Sequence, residues 1–224
     1  MVDLRTTVKR PVLMTNIASV AVGFAMFALA LIGPQVLELP VATGYGLGLS
    51  MVEAGLWLAP GGLAMMVSSP IASRVAAARG PRFTLTVGCA IIAASYLAGF
   101  VLLGEAWQLC LVNVLVSIGV GFAYSSLPAL INAAVPMSET AAANGINALA
   151  RALGTSISSA VVGAVLTGLT ISIAGQEFPS LTAFRIGLLI AAGMAILAGV
   201  LAALIPVTDV DQDSVPAVVA ASTR

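Results

Sequence analysis

The chain has no histidine, only two cysteines and very few charges. Without histidine there is no Ser–His dyad of the kind intramembrane proteases use, and no zinc site built on imidazole. Cys89 and Cys110 sit inside apolar runs. Thiols in such surroundings behave as small hydrophobes, so no disulfide is read. Charged residues make up 8% of the chain, against about 25% in a typical soluble domain. Nine basic residues balance nine acidic ones, and no basic stripe exists, so nucleic-acid binding has no electrostatic footing. No carboxylate lies deep in any long apolar run, no two carboxylates pair within one, and no glycine-rich phosphate loop is present. No metal, no cofactor and no enzyme chemistry are therefore expected.

What is there is hydrophobic. Apolar residues account for 60% of the 224 positions, and the mean hydropathy is +1.10. Such a composition cannot cover a water-facing surface; a lipid bilayer is its expected surrounding. A helix needs about 20 apolar residues to cross a hydrocarbon core about 30 Å thick. Six stretches qualify, at about 11–33, 52–75, 83–104, 107–135, 141–173 and 184–206. They are predicted to be helices, because backbone polar groups in lipid must be satisfied within the segment. The short alternating strands of a membrane barrel are not seen.

The breaks have a chemistry of their own. Pro34 and the Gly44-Tyr45-Gly46-Leu47-Gly48 run end the first span and delay the second. Gly80-Pro81 separates the second from the third, Gly104-Glu105 the third from the fourth, and residues 136–140 the fourth from the fifth, with Ser138 predicted to cap the fifth. Residues 176–180 precede the sixth. Pro60 and Pro70 fall inside the second span, where neighbouring helices can satisfy the freed carbonyls. This gives a lead-in over residues 1–10, a six-helix bundle over 11–206, and a tail over 207–224 that reads as disordered. The first ten residues do not read as a signal peptide.

Lysine and arginine in short loops set orientation. Arg5, Lys9 and Arg10 precede the first span, and Arg74, Arg79 and Arg82 surround the second link. With six alternating spans both groups fall on one side, expected to be the cytoplasm, along with both termini. Glu38, Glu105 and Glu177 fall on the other side, and Arg185 is the one basic residue with them. Glu53 begins the second span there, as a solvated or gate-lining group.

The sixth span has no polar side chain from Ile186 to Ile205 and is placed at the periphery. The third is nearly as apolar. Elsewhere polar residues line up at 100° per residue: Asn16, Ser19 and Gly23; Asn113, Ser117 and Tyr124; and Asn144, Asn147, Arg151, Thr155 and Ser158. Amides and hydroxyls are costly toward lipid, so these stripes face other helices or a water-filled cavity. Interhelical packing suits Ser19, Ser158, Ser117-x-x-x-Gly121 and Gly154-x-x-x-Ser158. A cavity role is favoured for Asn16, Asn113 and Tyr124. Arg151 has two readings: a functional group inside the membrane, or a side chain near the cytoplasmic boundary that reaches out to water.

Three segments together resemble the carboxy-terminal half of a major facilitator superfamily transporter, in the fourteen-span drug:proton antiporter branch. They are Val2-Asp3-Leu4-Arg5; Glu53-Ala54-Gly55-Leu56-Trp57-Leu58-Ala59-Pro60; and Val135-Pro136-Met137-Ser138-Glu139 with the Gly145-to-Gly154 run carrying Asn147 and Arg151. The second link, with Arg74, Arg79, Gly80, Pro81 and Arg82, is similar to a degenerate copy of the superfamily's cytoplasmic loop motif. It has Ala77 where the motif has an aspartate, which leaves Arg79 and Arg82 a topological role. The resemblance implies an all-α membrane fold of six helices forming one half, a 3+3 repeat. It implies that the first, second, fourth and fifth spans line a cavity, and that the third and sixth stand outside. It also implies a small-molecule substrate, drug efflux from the cell (plasma) membrane, and a proton gradient. Asn16, Asn113 and Tyr124 would contact substrate, and Asn147 and Arg151 would brace the cytoplasmic gate. The family's membrane carboxylates lie largely in an amino-terminal half that this chain does not contain. The expected partners are thus the bilayer and that missing half or a partner chain. The alternative is a truncated fragment with no transport of its own.

Overall fold

Six runs of lipid-spanning length each close their own backbone hydrogen bonds as α-helices in the computed structural model, which describes residues 10–205. They are α1 (Arg10–Glu38), α2 (Met51–Arg79), α3 (Pro81–Gly99), α4 (Ala106–Ala134), α5 (Thr140–Gly168) and α6 (Leu181–Leu204). All six are long and apolar enough to cross a membrane, and the chain is an all-α, multi-pass membrane protein. Arg5, Lys9, the Val2-to-Arg5 motif and the tail from residue 206 lie outside the described residues.

Several boundaries differ from the sequence expectation. Pro34 does not end α1, which runs on to Glu38. The turn around it is packed, with Ile32, Gly33, Val36 and Leu37 all buried, and packing of this kind tolerates a proline within a membrane helix. Ser138 is not the cap of α5: Met137–Glu139 form a 3-10 turn and Glu139 occupies the cap position. The fifth span ends at Gly168 rather than Ile173. Beyond it Thr170–Ile173 and Gln176–Pro179 pair antiparallel, Ile171 opposite Phe178. Ala174 and Gly175 turn the hairpin with φ of +52° and +81°, the pair of left-handed residues a two-residue hairpin favours. The Tyr45 hydroxyl donates to the Pro179 carbonyl and tethers this hairpin to the α1–α2 loop.

Two caps went unread in the sequence. Ser50 and Glu53 form a reciprocal capping box at the start of α2, with the Ser50 amide donating to Glu53 Oε2 at 2.9 Å. Glu53 is therefore a helix-capping group at the bundle end. Ser180 accepts from the Ala183 amide at 3.1 Å and caps α6.

The helices form two layers. In front, α2 packs on α4, α4 on α1, and α1 on α5; behind, α3 packs on α4 and α6, and α6 on α1. The main core lies between the layers, around Phe24, Ile32, Tyr96, Leu109, Phe184 and Leu188. The Tyr96 hydroxyl, inside this core, donates to the Ala25 carbonyl and joins α3 to α1. The sixth helix presents an alanine face inward (Ala191, Ala195, Ala198, Ala202) and leaves Leu189, Ile196, Leu197 and Val200 exposed behind. Chain ends alternate: Pro11, Gly80, Ala134 and Ile205 surround one cavity, whereas Tyr45, Leu103 and Arg185 surround another at the opposite end. The first, arginine-bearing end is here called the basic end.

Candidate functional site

The α1–α5 seam is close because two glycines remove its side chains. A methyl group on Gly23 would overlap the Arg151 carbonyl oxygen, and one on Gly154 would overlap that of Val20. This is small-residue packing of the kind that lets membrane helices touch backbone to backbone. It brings the polar stripe of α1 against the polar stripe of α5.

Asn147 sits at the centre of that contact, fully buried. Its Nδ2 donates to Asn16 Oδ1 at 3.0 Å and to Ser19 Oγ at 2.6 Å. Its Oδ1 accepts from Arg151 Nη1 at 2.5 Å. The Ser19 hydroxyl in turn donates to the Thr15 carbonyl at 2.8 Å. The result is a polarised chain: guanidinium to amide, amide to hydroxyl, hydroxyl to backbone. Every link is satisfied, which is what a buried polar network requires to be stable.

Arg151 is the twelfth of the 29 residues of α5, about 16 Å along the axis from its first residue. Its guanidinium turns into the bundle, with Cζ 5.2 Å from the centre of the Tyr124 ring of α4. The face of a tyrosine ring attracts a cation, the more so when both are desolvated. The Tyr124 hydroxyl in turn donates to Met26 Sδ at 3.0 Å. The Arg151 side chain thus reaches one turn back along α5 to Asn147 and across to Tyr124. Asn16, Asn147, Arg151 and Tyr124 come together as one cluster across three helices, with Arg151 and Tyr124 half-buried on the front layer and the two asparagines behind them.

Asn113 is not part of that cluster. It lies on α4 about 16 Å from Tyr124 along the axis, where its Nδ2 donates to the Leu58 carbonyl of α2 at 2.8 Å and fills the space above Gly61. Asn113 and Ser117 hold α2 to α4; Gly121 continues that seam against Ser68. Of the remaining stripe, Asn144 donates to Asn132 at 2.6 Å, while the buried Ser158 hydroxyl has no partner among the described residues. Arg74 is exposed on α2, and Arg79, Gly80 and Arg82 line the cavity at the basic end.

Met26 is the site residue that sequence reading missed. It follows Asn16, Ser19 and Gly23 at helical spacing, so extending that stripe by three residues finds it. Its thioether reads as apolar, and nothing in the sequence marks it as an acceptor.

The front layer carries a second observation. Only 17% of the most apolar stretch of α2 and 22% of that of α5 is buried, against 61% for α1. Yet the same stretches have mean hydropathies of 1.3 and 1.5, close to the 1.4 of the half-buried α3 and well below the 2.5 of α6. A helix bound for lipid should be the more apolar one. The exposed flank of α5 mixes Ser156, Ser159, Gly145 and five alanines with Leu149, Leu153 and Ile157, a small-residue surface that suits contact with another helix layer.

Among known families, the profile described as Major Facilitator Superfamily fits residues 2–159, more than half of the chain. No curated protein matches significantly.

Proposed function

The chain belongs to the Major Facilitator Superfamily, a superfamily of membrane transporters rather than enzymes, and from that premise we propose that it is the carboxy-terminal half of a proton-coupled exporter of small amphipathic compounds in the drug:proton antiporter branch. Its front layer, α2–α4–α1–α5, faces a companion six-helix half, and substrate passes between the two. The basic end lies in the cytoplasm of a cell-membrane protein. The observation that carries this reading is the Arg151–Tyr124 pair: a guanidinium within a long apolar helix, stacked on an aromatic ring and braced by Asn147, on the layer whose outer helices are less apolar than α6. Among the described residues every carboxylate stands at a helix end or in a link (Glu38, Glu53, Glu105, Glu139, Glu177). Proton binding within the membrane is therefore assigned to the companion half.

The test is reconstitution of the chain with and without a companion amino-terminal half, followed by proton-driven dye flux. Flux from the pair, lost on Tyr124→Ala, supports the reading. Flux from the chain by itself overturns the half-transporter assignment, and no flux from any pairing leaves the fragment alternative.

A further inference from the structure

At the basic end a cavity of about 460 Å³ opens between the start of α1, the α2–α3 link, the end of α4 and the end of α6. Its lining carries two guanidinium groups, Arg79 and Arg82, and among the described residues no carboxylate. The two arginines are held differently. Arg79 stacks over Phe83 with Cζ 5.4 Å from the ring centre. Arg82 uses Nη2 to donate to the Ala203 carbonyl in the last turn of α6, its one hydrogen bond among the described residues, out of five donors. Between them α3 begins at Pro81 with no side-chain cap, so its partial positive end adds to the same field. Apart from Thr86 the rest of the wall is apolar, with Leu130 of α4 and Ile205 beyond α6.

We infer that this cavity binds the headgroup of an anionic phospholipid, with the phosphate on Arg79 and Arg82 and the glycerol and upper acyl carbons against the apolar wall. Charge decides the head: two guanidinium groups match phosphate oxygens by planar, forked hydrogen bonding. The wall decides the source, because a free phosphate ion has no use for Leu130, Phe83 and Ile205. Basic pockets between membrane helices at the end rich in arginine are suited to such headgroups. The cavity shares no lining residue with the Arg151 cluster, and the inference does not depend on what the protein transports.

The experiment uses the full chain, purified and stripped of lipid, with thermal unfolding followed as lipid is added. Phosphatidylglycerol is expected to raise the midpoint by about 5 °C at saturation, and phosphatidylcholine to do much less. Arg79→Gln should weaken the phosphatidylglycerol response about tenfold in concentration, and Arg74→Gln, on the same end but outside the cavity, should leave it unchanged. Arg82→Gln also removes a bond to α6, so Arg79→Gln is the deciding variant. Equal responses to both lipids, or an unchanged response in Arg79→Gln, would overturn the site. Inorganic phosphate reproducing the full shift would overturn the lipid as its source.

Discussion

Asn147 and Arg151 stand one helical turn apart on α5, and the Arg151 guanidinium donates to the Asn147 side-chain oxygen at 2.5 Å while the other end of that amide grips Asn16 and Ser19 on α1. One buried amide thus does two tasks. It fixes the α1–α5 crossing, and it aims a cation at Tyr124.

Asn147→Leu removes three hydrogen bonds and strands their partners. Leaving buried polar groups unpaired costs about 1–3 kcal/mol, so this variant should unfold earlier than wild type by that amount in denaturant titrations in micelles. Asn16→Leu breaks a single bond of the network and should cost less. A double-mutant cycle between Asn147 and Arg151 should show coupling of about 0.5 kcal/mol or more; additivity within error would dissolve the network.

Gly154→Val drives a branched side chain into the Val20 carbonyl. The helices must separate or shift, at a cost of about 1–3 kcal/mol or more. Gly145→Ala is the matched control, because nothing lies within 4 Å of its added carbon; it should stabilise by about 0.5–1 kcal/mol through the unfolded chain and helix propensity. Thermal midpoints that fail to separate the two variants would contradict the close seam.

Ser158 lies on the same helix face, fully buried, and its hydroxyl has no partner among the described residues. A hydroxyl desolvated without compensation opposes folding. Ser158→Ala should therefore leave stability unchanged or raise it by up to about 1 kcal/mol, and a clear loss of stability would mean the hydroxyl has a bond in the membrane.

Arg151 separates charge from shape. Arg151→Lys keeps the charge but loses the planar face over Tyr124 and the Nη1 donation to Asn147. With the companion half present, transport should fall about tenfold in Arg151→Lys and further in Arg151→Gln. Tyr124→Phe, which loses only the bond to Met26, should transport nearly as well as wild type.

The six helices were legible because lipid imposes one requirement on every span, a long apolar run that bonds its own backbone. Their ends were not. Pro34 reads as a stop but is carried by packing around Ile32 and Val36, and Thr170–Ile173 read as the end of a span because Ile-rich strand and helix are alike over four residues. The polar stripes of α1, α4 and α5 were visible in spacing alone. Their pairing was not: Asn113 and Tyr124 share one arc of α4, yet α2 captures the first and the α1–α5 seam the second. Which neighbour a polar group meets is decided by helix order in the layer, and a single stripe carries no record of that. Ser50 with Glu53 was a missed capping signature, readable from the spacing itself.

The most direct test of the central claim is solvent access from the front layer. In a background with Cys89 and Cys110 replaced by alanine, Tyr124→Cys and Leu197→Cys are treated in native membranes with a membrane-impermeant thiol reagent. The front-layer, back-layer arrangement predicts that the cysteine at position 124 is labelled, and protected by transported compounds, while that at position 197 in the aliphatic back face of α6 stays unlabelled. Labelling at 197 with none at 124 would contradict it.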